Sequence, residues 1–148
     1  NVVDQIVAAY PKILHIVDAF EAEIKDAGER ARRMVTLGEQ VGLRMMQGKT
    51  DLDDCNNIRD ALAVVIPILK PLADAHAIGP EIHIRISIFT RRQVNTMDLV
   101  FGSEASKCDF LTGFIQGLVN SAPMLPQVQV TESMCRTNGD EECVFRVA

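Results

Sequence analysis

The residues best suited to chemistry lie near the carboxy end. Cys135 and Cys143 stand either side of the turn-forming Asn138, Gly139 and Asp140, Glu132 lies three residues before the first of them, and Cys108 stands further upstream. Thiolates with a carboxylate are suitable donors for a closed tetrahedral zinc site. A turn between two strands can bring Cys135 and Cys143 together. Cys108 opens the preceding helical pattern, where free N–H groups favour a thiolate. The strand period stands in the way: residues three apart point to opposite faces, so Glu132 and Cys135 converge only if the strand ends or bulges at Ser133 and Met134. Four anionic donors leave about −2 around the ion, a charge that Lys107, Arg136 or Arg146 would offset. On spacing alone, zinc and reduced unliganded thiols stand level, with a Cys135–Cys143 disulfide behind both.

The elements that must position these residues follow from periodicity. Val3, Tyr10, Val17, Ile24, Ala31, Gly38 and Met45 recur every seven residues, as do Ile6, Ile13, Phe20, Ala27, Met34 and Val41. Together they form a wide apolar stripe at a helical period, suited to a globular body or a large dimer face. Pro11 fits the first turn of a helix over 11–27, and Gly28 a joint to a second over 29–48. Gly38 and Gly42, four apart, allow another element to approach closely. A polar loop leads to a helix over 55–77, capped by Asp53 or Asp54 and kinked or split by Pro67 and Pro71. Residues 81–89 alternate cleanly and predict a strand. MDLVF (97–101) fits a strand or a short helix. A helix over 108–121 buries Phe110, Leu111, Phe114, Ile115 and Leu118, and strands follow at 127–133 and 143–147. The fold class is α+β: helices packed on one antiparallel sheet, with a long N-terminal helical dimerisation region.

Composition narrows the function. The 148 residues are nearly half apolar, enough for a core, and the net charge of −5 argues against nucleic acid as a direct partner. The lack of tryptophan and the single tyrosine argue against a base-stacking surface as well. No apolar run is long enough for a membrane span and no signal peptide is evident, so the expected location is cytoplasmic with reduced thiols. No G-x-G-x-x-G fingerprint and no poised acid–base pair argue for catalysis. His15 reads as a helix-packing residue rather than a haem ligand, His83 as an exposed or partly covered strand residue, and Cys55 as a free thiol.

The segment CDFLTGFIQGL, then a strand, then ESMCRTNGDEECVFRV, resembles the 4-vinyl-reductase domain family, whose phenol-responsive sensor domains share this layout. The resemblance implies zinc on Cys108, Glu132, Cys135 and Cys143, purely structural because protein supplies every ligand. It implies a fold related to the TRAPP subunits, pairing through N-terminal helices, and an apolar cavity. MVTLGEQVGLRMMQ resembles the family's early glycine helix, so residues 30–148 form the family-like domain and 1–29 an extension. The absent tryptophan departs from the phenol pocket. The function expected on this basis is a zinc-braced homodimeric domain that binds a small hydrophobic molecule as sensor or carrier. Its lining would come from Phe89, Met97, Phe101, Phe110 and Phe114. The alternatives are an accessory role in tetrapyrrole vinyl reduction or binding, and a TRAPP-like assembly subunit.

Overall fold

The apolar stripe is helical, but it is divided into three helices. In the computed structural model, which describes residues 1–76, 82–86, 97–101, 108–134 and 143–148, these are α1 (Val2–Ala9), α2 (Leu14–Ala22) and α3 (Ala27–Met46). Asn1 caps α1, its Oδ1 accepting from the N–H groups of Val3 at 2.8 Å and Asp4 at 3.4 Å. The joint between α2 and α3 falls at residues 23–26, not at Gly28. Asp26 is the cap of α3, accepting from the Glu29 N–H at 2.8 Å, and Gly28 lies inside the first turn. Arg30 Nε donates to the Ile24 carbonyl at 2.9 Å and so ties the incoming chain to that turn. Gly48 follows α3 with φ +78°, the left-handed conformation that glycine adopts without strain.

The stripe is spent inside the chain. Ile6, Ile13, Val17, Ile24, Met34 and Val41 belong to one core with exposures of 0–4 %. A dimer face is therefore not needed to explain it. The same core continues into α4 (Ile58–His76), whose buried face carries Ala61, Leu62, Val65, Leu69 and Leu72. Asn57 caps α4 through the Asp60 N–H at 2.9 Å, so the helix starts later than a cap at Asp53 or Asp54 would place it. Pro67 and Pro71 lie inside α4, and neither splits it.

Four strands follow: β1 (Ile82–Ile86), β2 (Met97–Phe101), β3 (Val130–Met134) and β4 (Cys143–Val147), with α5 (Cys108–Asn120) between β2 and β3. They form an antiparallel sheet in the order β1-β2-β4-β3. The register places Ile84 opposite Leu99, Leu99 opposite Phe145, and Glu132 opposite Phe145 from the other side. The fold is α+β. Among the described residues no helix is long and apolar enough to cross a membrane.

The closest helix pair is α3 with α5. Gly38 and Gly42 on α3 face Gly113 and Gly117 on α5. A Cβ on Gly38 would lie 2.1 Å from the Phe110 carbonyl oxygen, and one on Gly113 would lie 1.9 Å from the Val35 carbonyl oxygen. Only the missing side chains let the two backbones meet, as the four-residue spacing of Gly38 and Gly42 predicts.

Candidate functional site

The backbone seam fixes what α5 presents to the interior. Phe110 and Phe114, one turn apart, are fully buried, with ring centroids 5.7 Å apart and planes at 20°. Tyr10, at the end of α1, brings its ring to 5.8 Å from that of Phe114 at a 50° tilt. Its hydroxyl donates to the Ile68 carbonyl of α4. Ile68 lies between the two prolines. The Pro71 ring removes the N–H that would otherwise serve the Pro67 carbonyl, so this stretch of helix is short of donors. Burial pushes the Tyr10 phenol far above its ordinary range. Tyr10 is therefore a fixed donor, not an acid–base group at neutral pH.

Two amides hold α5 to β3 and to the segment that leads into it. Asn120 grips Val128 at both backbone atoms: the Val128 N–H donates to Oδ1 at 2.7 Å, and Nδ2 donates to the Val128 carbonyl at 3.0 Å. Gln116 accepts from the Val130 N–H at 3.0 Å while its Nε2 donates to Glu39 Oε2 on α3 at 3.3 Å. One side chain thus links β3, α5 and α3. Neither amide stood out in the sequence. The available signal was a polar side chain within an otherwise apolar helix, which must find partners if it is buried.

The expected ligand-lining residues are placed in part. Phe110 and Phe114 are together. Met97 and Phe101 mark the two ends of β2 with side chains outside the described residues, and Phe89 lies outside them altogether. Of the expected metal set, Cys108 is the half-buried first residue of α5, its carbonyl accepting from Thr112 Oγ1 at 2.8 Å. Glu132 sits in β3, with Oε2 sealed from solvent and no hydrogen-bond partner among the described residues. The β3–β4 register shifts between Glu132 and Met134, the irregularity that a shared site with Cys135 required. Cys143 opens β4 opposite Phe101, its side chain not described, and Cys135 lies outside the described residues. Among the described residues no group of three or more His, Cys, Asp or Glu is arranged to hold a metal.

Two further reactive groups are described, His15 and Cys55. His15 is exposed on α2. Cys55 is buried at the approach to α4. Burial first, then the charges of Asp60 and Asp54, push its thiol upward, which disfavours a thiolate. A groove of about 860 Å³ between the start of α1 and the end of α3 is lined by Asp4, Gln40, Leu43, Arg44 and Ser121, with an Arg44–Asp4 ion pair at 3.3 Å. A smaller cavity of about 270 Å³ lies among Val2, Phe20, Arg33, Thr36, Leu37 and Gln40. Neither touches Phe110 or Phe114.

No family model matches the chain, and no curated protein matches it in sequence. Solved structures do. The H-NOX protein of Shewanella oneidensis in its Fe(II)NO state aligns with a TM-score of 0.54 at 14% identity, covering 80% of this chain and 64% of that one. A mutant of an S. oneidensis H-NOX protein in the Fe(II) state gives 0.55 at 15%, covering 91% and 70%. A mutant H-NOX domain in the Fe(II)CO state gives 0.53 at 15%, covering 93% and 71%. The chain thus spans just under two thirds of the length of the first of these.

Two expectations are corrected by these findings. The structural neighbours are H-NOX domains, not 4-vinyl-reductase domains. The glycine spacings behind that resemblance have a packing cause here: Gly113 and Gly117 seat on the backbone at Val35 and Glu39. Structural zinc is corrected as well, because the neighbours are Fe(II) proteins and the described residues assemble no metal-binding group. At this level of identity the likeness is one of architecture, and it shows that the chain has the fold of an H-NOX domain.

Proposed function

We propose that this chain is a sensor domain that takes up a small apolar molecule, dissolved gases included. Binding would be reported as a shift of α5 against α3. The reading is supported by the H-NOX fold, whose solved examples hold NO or CO on iron. The observation that carries it is the join between the aromatic pair on α5 and the rest of the molecule. Phe110 and Phe114 sit on the helix whose backbone is seated on α3 and whose amides grip the strand layer. A molecule displacing either ring therefore loads the seam directly, and a packed core answers in discrete steps rather than by smooth deformation. Phe89, Met97 and Phe101 would complete the lining from the sheet side. Tyr10 closes the opposite side as a hydrogen-bonded lid, without acid–base chemistry.

The test is native mass spectrometry of the purified chain together with thermal shift under toluene, carbon monoxide and nitric oxide. A retained small molecule, or a rise in melting temperature with at least one probe, is expected. An empty protein that none of the three stabilises would reject the sensor reading. A homodimer, which the wide stripe suggested, would have to form through surface left outside the core, such as exposed Leu43, and sedimentation velocity would detect it.

A further inference from the structure

We propose that the smaller cavity, among α1, α2 and α3, is a binding site for a compact monocarboxylate with an apolar body, held by Arg33 at its rim. The site is separate from the aromatic pair on α5 and does not rest on the sensor reading.

The lining divides into two halves. Leu37 forms a buried floor at 3% exposure, with half-buried Val2 and Phe20 as its walls. Exposed Arg33, Thr36 and Gln40 form the rim. Positions 33, 36, 37 and 40 share one face of α3, so a single helix supplies both floor and rim. An apolar bottom beneath a polar mouth suits a molecule of the same two-part design. The sign of its charge follows from Arg33. The guanidinium carbon lies 5.3 Å from the centroid of the Phe20 ring, a cation–π contact that positions the group and uses none of its N–H donors. Among the described residues no carboxylate forms an ion pair with Arg33, Glu29 one turn before it included. The larger groove is the contrast: there Arg44 meets Asp4 at 3.3 Å, and its cation is already answered. Thr36 gives its proton to the Arg32 carbonyl at 3.0 Å. Donation to a ligand therefore falls to Arg33 and the Gln40 amide, and a carboxylate accepts from both. The cavity, about 270 Å³, lies just under the lower bound of about 300 Å³ for ordinary small-molecule sites, so it takes a short acyl or single-ring acid rather than a long chain.

Titration of the purified chain with hexanoate, hexanol and inorganic phosphate, followed by amide NMR shifts, tests the proposal. Hexanoate should give saturable shifts centred on Thr36, Leu37 and Gln40, with hexanol and phosphate each weaker by about tenfold or more. Arg33→Gln should weaken hexanoate by about tenfold and leave hexanol as in the wild type, which also shows that the variant is folded. Arg32→Gln, at the neighbouring exposed position outside the lining, should change neither. No saturable shift with hexanoate would overturn the proposal. So would hexanol or phosphate binding as tightly as hexanoate, full hexanoate affinity in Arg33→Gln, or an equal loss in Arg32→Gln. The sensor reading fails separately. Hexanoate shifts centred on Phe110 and Phe114 would overturn this site and support that reading, whereas binding at Thr36 and Gln40 by a chain that retains no molecule and responds to no toluene, carbon monoxide or nitric oxide does the reverse.

Discussion

Replacing Gly113 with alanine adds one methyl group where two helices touch through backbone. The new Cβ would lie 1.9 Å from the Val35 carbonyl oxygen, 2.8 Å from the Val35 carbonyl carbon and 2.9 Å from the Glu39 nitrogen. Ordinary contact starts near 3.4 Å, so α3 and α5 must part locally by the difference, 3.4 − 1.9 = 1.5 Å. No rotamer relieves this, because all three opposed atoms are main chain. Overpacking of a tight interior costs about 1–3 kcal/mol, and the rigid partner places this site at the upper end. The helix-propensity gain of alanine over glycine returns about 1 kcal/mol. The net loss is about 2 kcal/mol, or roughly 4–8 °C in melting temperature for a domain of this size. Gly28→Ala is the internal control. There the new Cβ meets Asp26 Oδ2 at 3.5 Å and Arg32 Nη1 at 3.6 Å, so the variant should gain about 0.5 kcal/mol. Urea unfolding followed by circular dichroism reads both. If Gly113→Ala unfolds at or beyond the wild-type midpoint, or Gly28→Ala loses as much, the glycine seam does not hold the helices together and the coupling proposed from it fails.

Further outcomes follow from the same contacts. Asn120→Ala leaves the Val128 N–H and carbonyl without their side-chain partners and should cost about 1–3 kcal/mol, read as a lower urea midpoint. Tyr10 is the sole tyrosine and there is no tryptophan, so phenolate absorbance in alkaline titration reports this residue alone. Burial raises its folded pKa above the ordinary phenol value of 10.0, so its contribution to stability is fully present below that pH and is lost as pH rises through the folded value. Phenolate should therefore form only with unfolding, and Tyr10→Phe should remove that part of the alkaline slope; phenolate forming near pH 10.0 in a folded protein would contradict this. Cys55 should resist thiol reagents at neutral pH in the native protein and react once urea is added, as peptide mapping of the alkylated chain would show.

What the chain order reveals depends on where the cause of each feature lies. Helix α5 and strands β1 and β4 were legible because their apolar spacing is itself the reason they form, and Gly38 with Gly42 was legible because the spacing of absent side chains predicts close approach. The break before α3 carries a local signal too: Asp26 followed by Glu29 is a capping arrangement, and it competes with Gly28 as the explanation of the joint. The stripe left two readings open for a different reason. An apolar face that wide must be covered, but nothing in the pattern says whether the cover is a second copy or the chain's own α4 and α5. The zinc expectation shows the same limit at the level of chemistry. Donor types and a turn are local facts, whereas convergence is a fact about register, and the β3–β4 shift between Glu132 and Met134 is invisible until the strands are paired.

That limit bears on function. The side chains that distinguish this molecule are Tyr10, Gln116 and Asn120, each a single polar group whose role is set by a partner distant in sequence or across the turn: Ile68, Glu39 with Val130, and Val128. Together they tie the first helix to α4 and the strand layer to α5, around two phenylalanines that fill the centre. A fold can be kept while its interior is reassigned, because the seam and the ties depend on glycines and amides outside the aromatic stack. If Phe114→Leu, which replaces the ring by a smaller apolar group, leaves the urea midpoint unchanged while altering retention of the small molecule in native mass spectra, then the aromatic pair is a ligand surface. If it lowers stability by about 1–3 kcal/mol and changes nothing else, the pair is core alone, and the sensor reading loses its site.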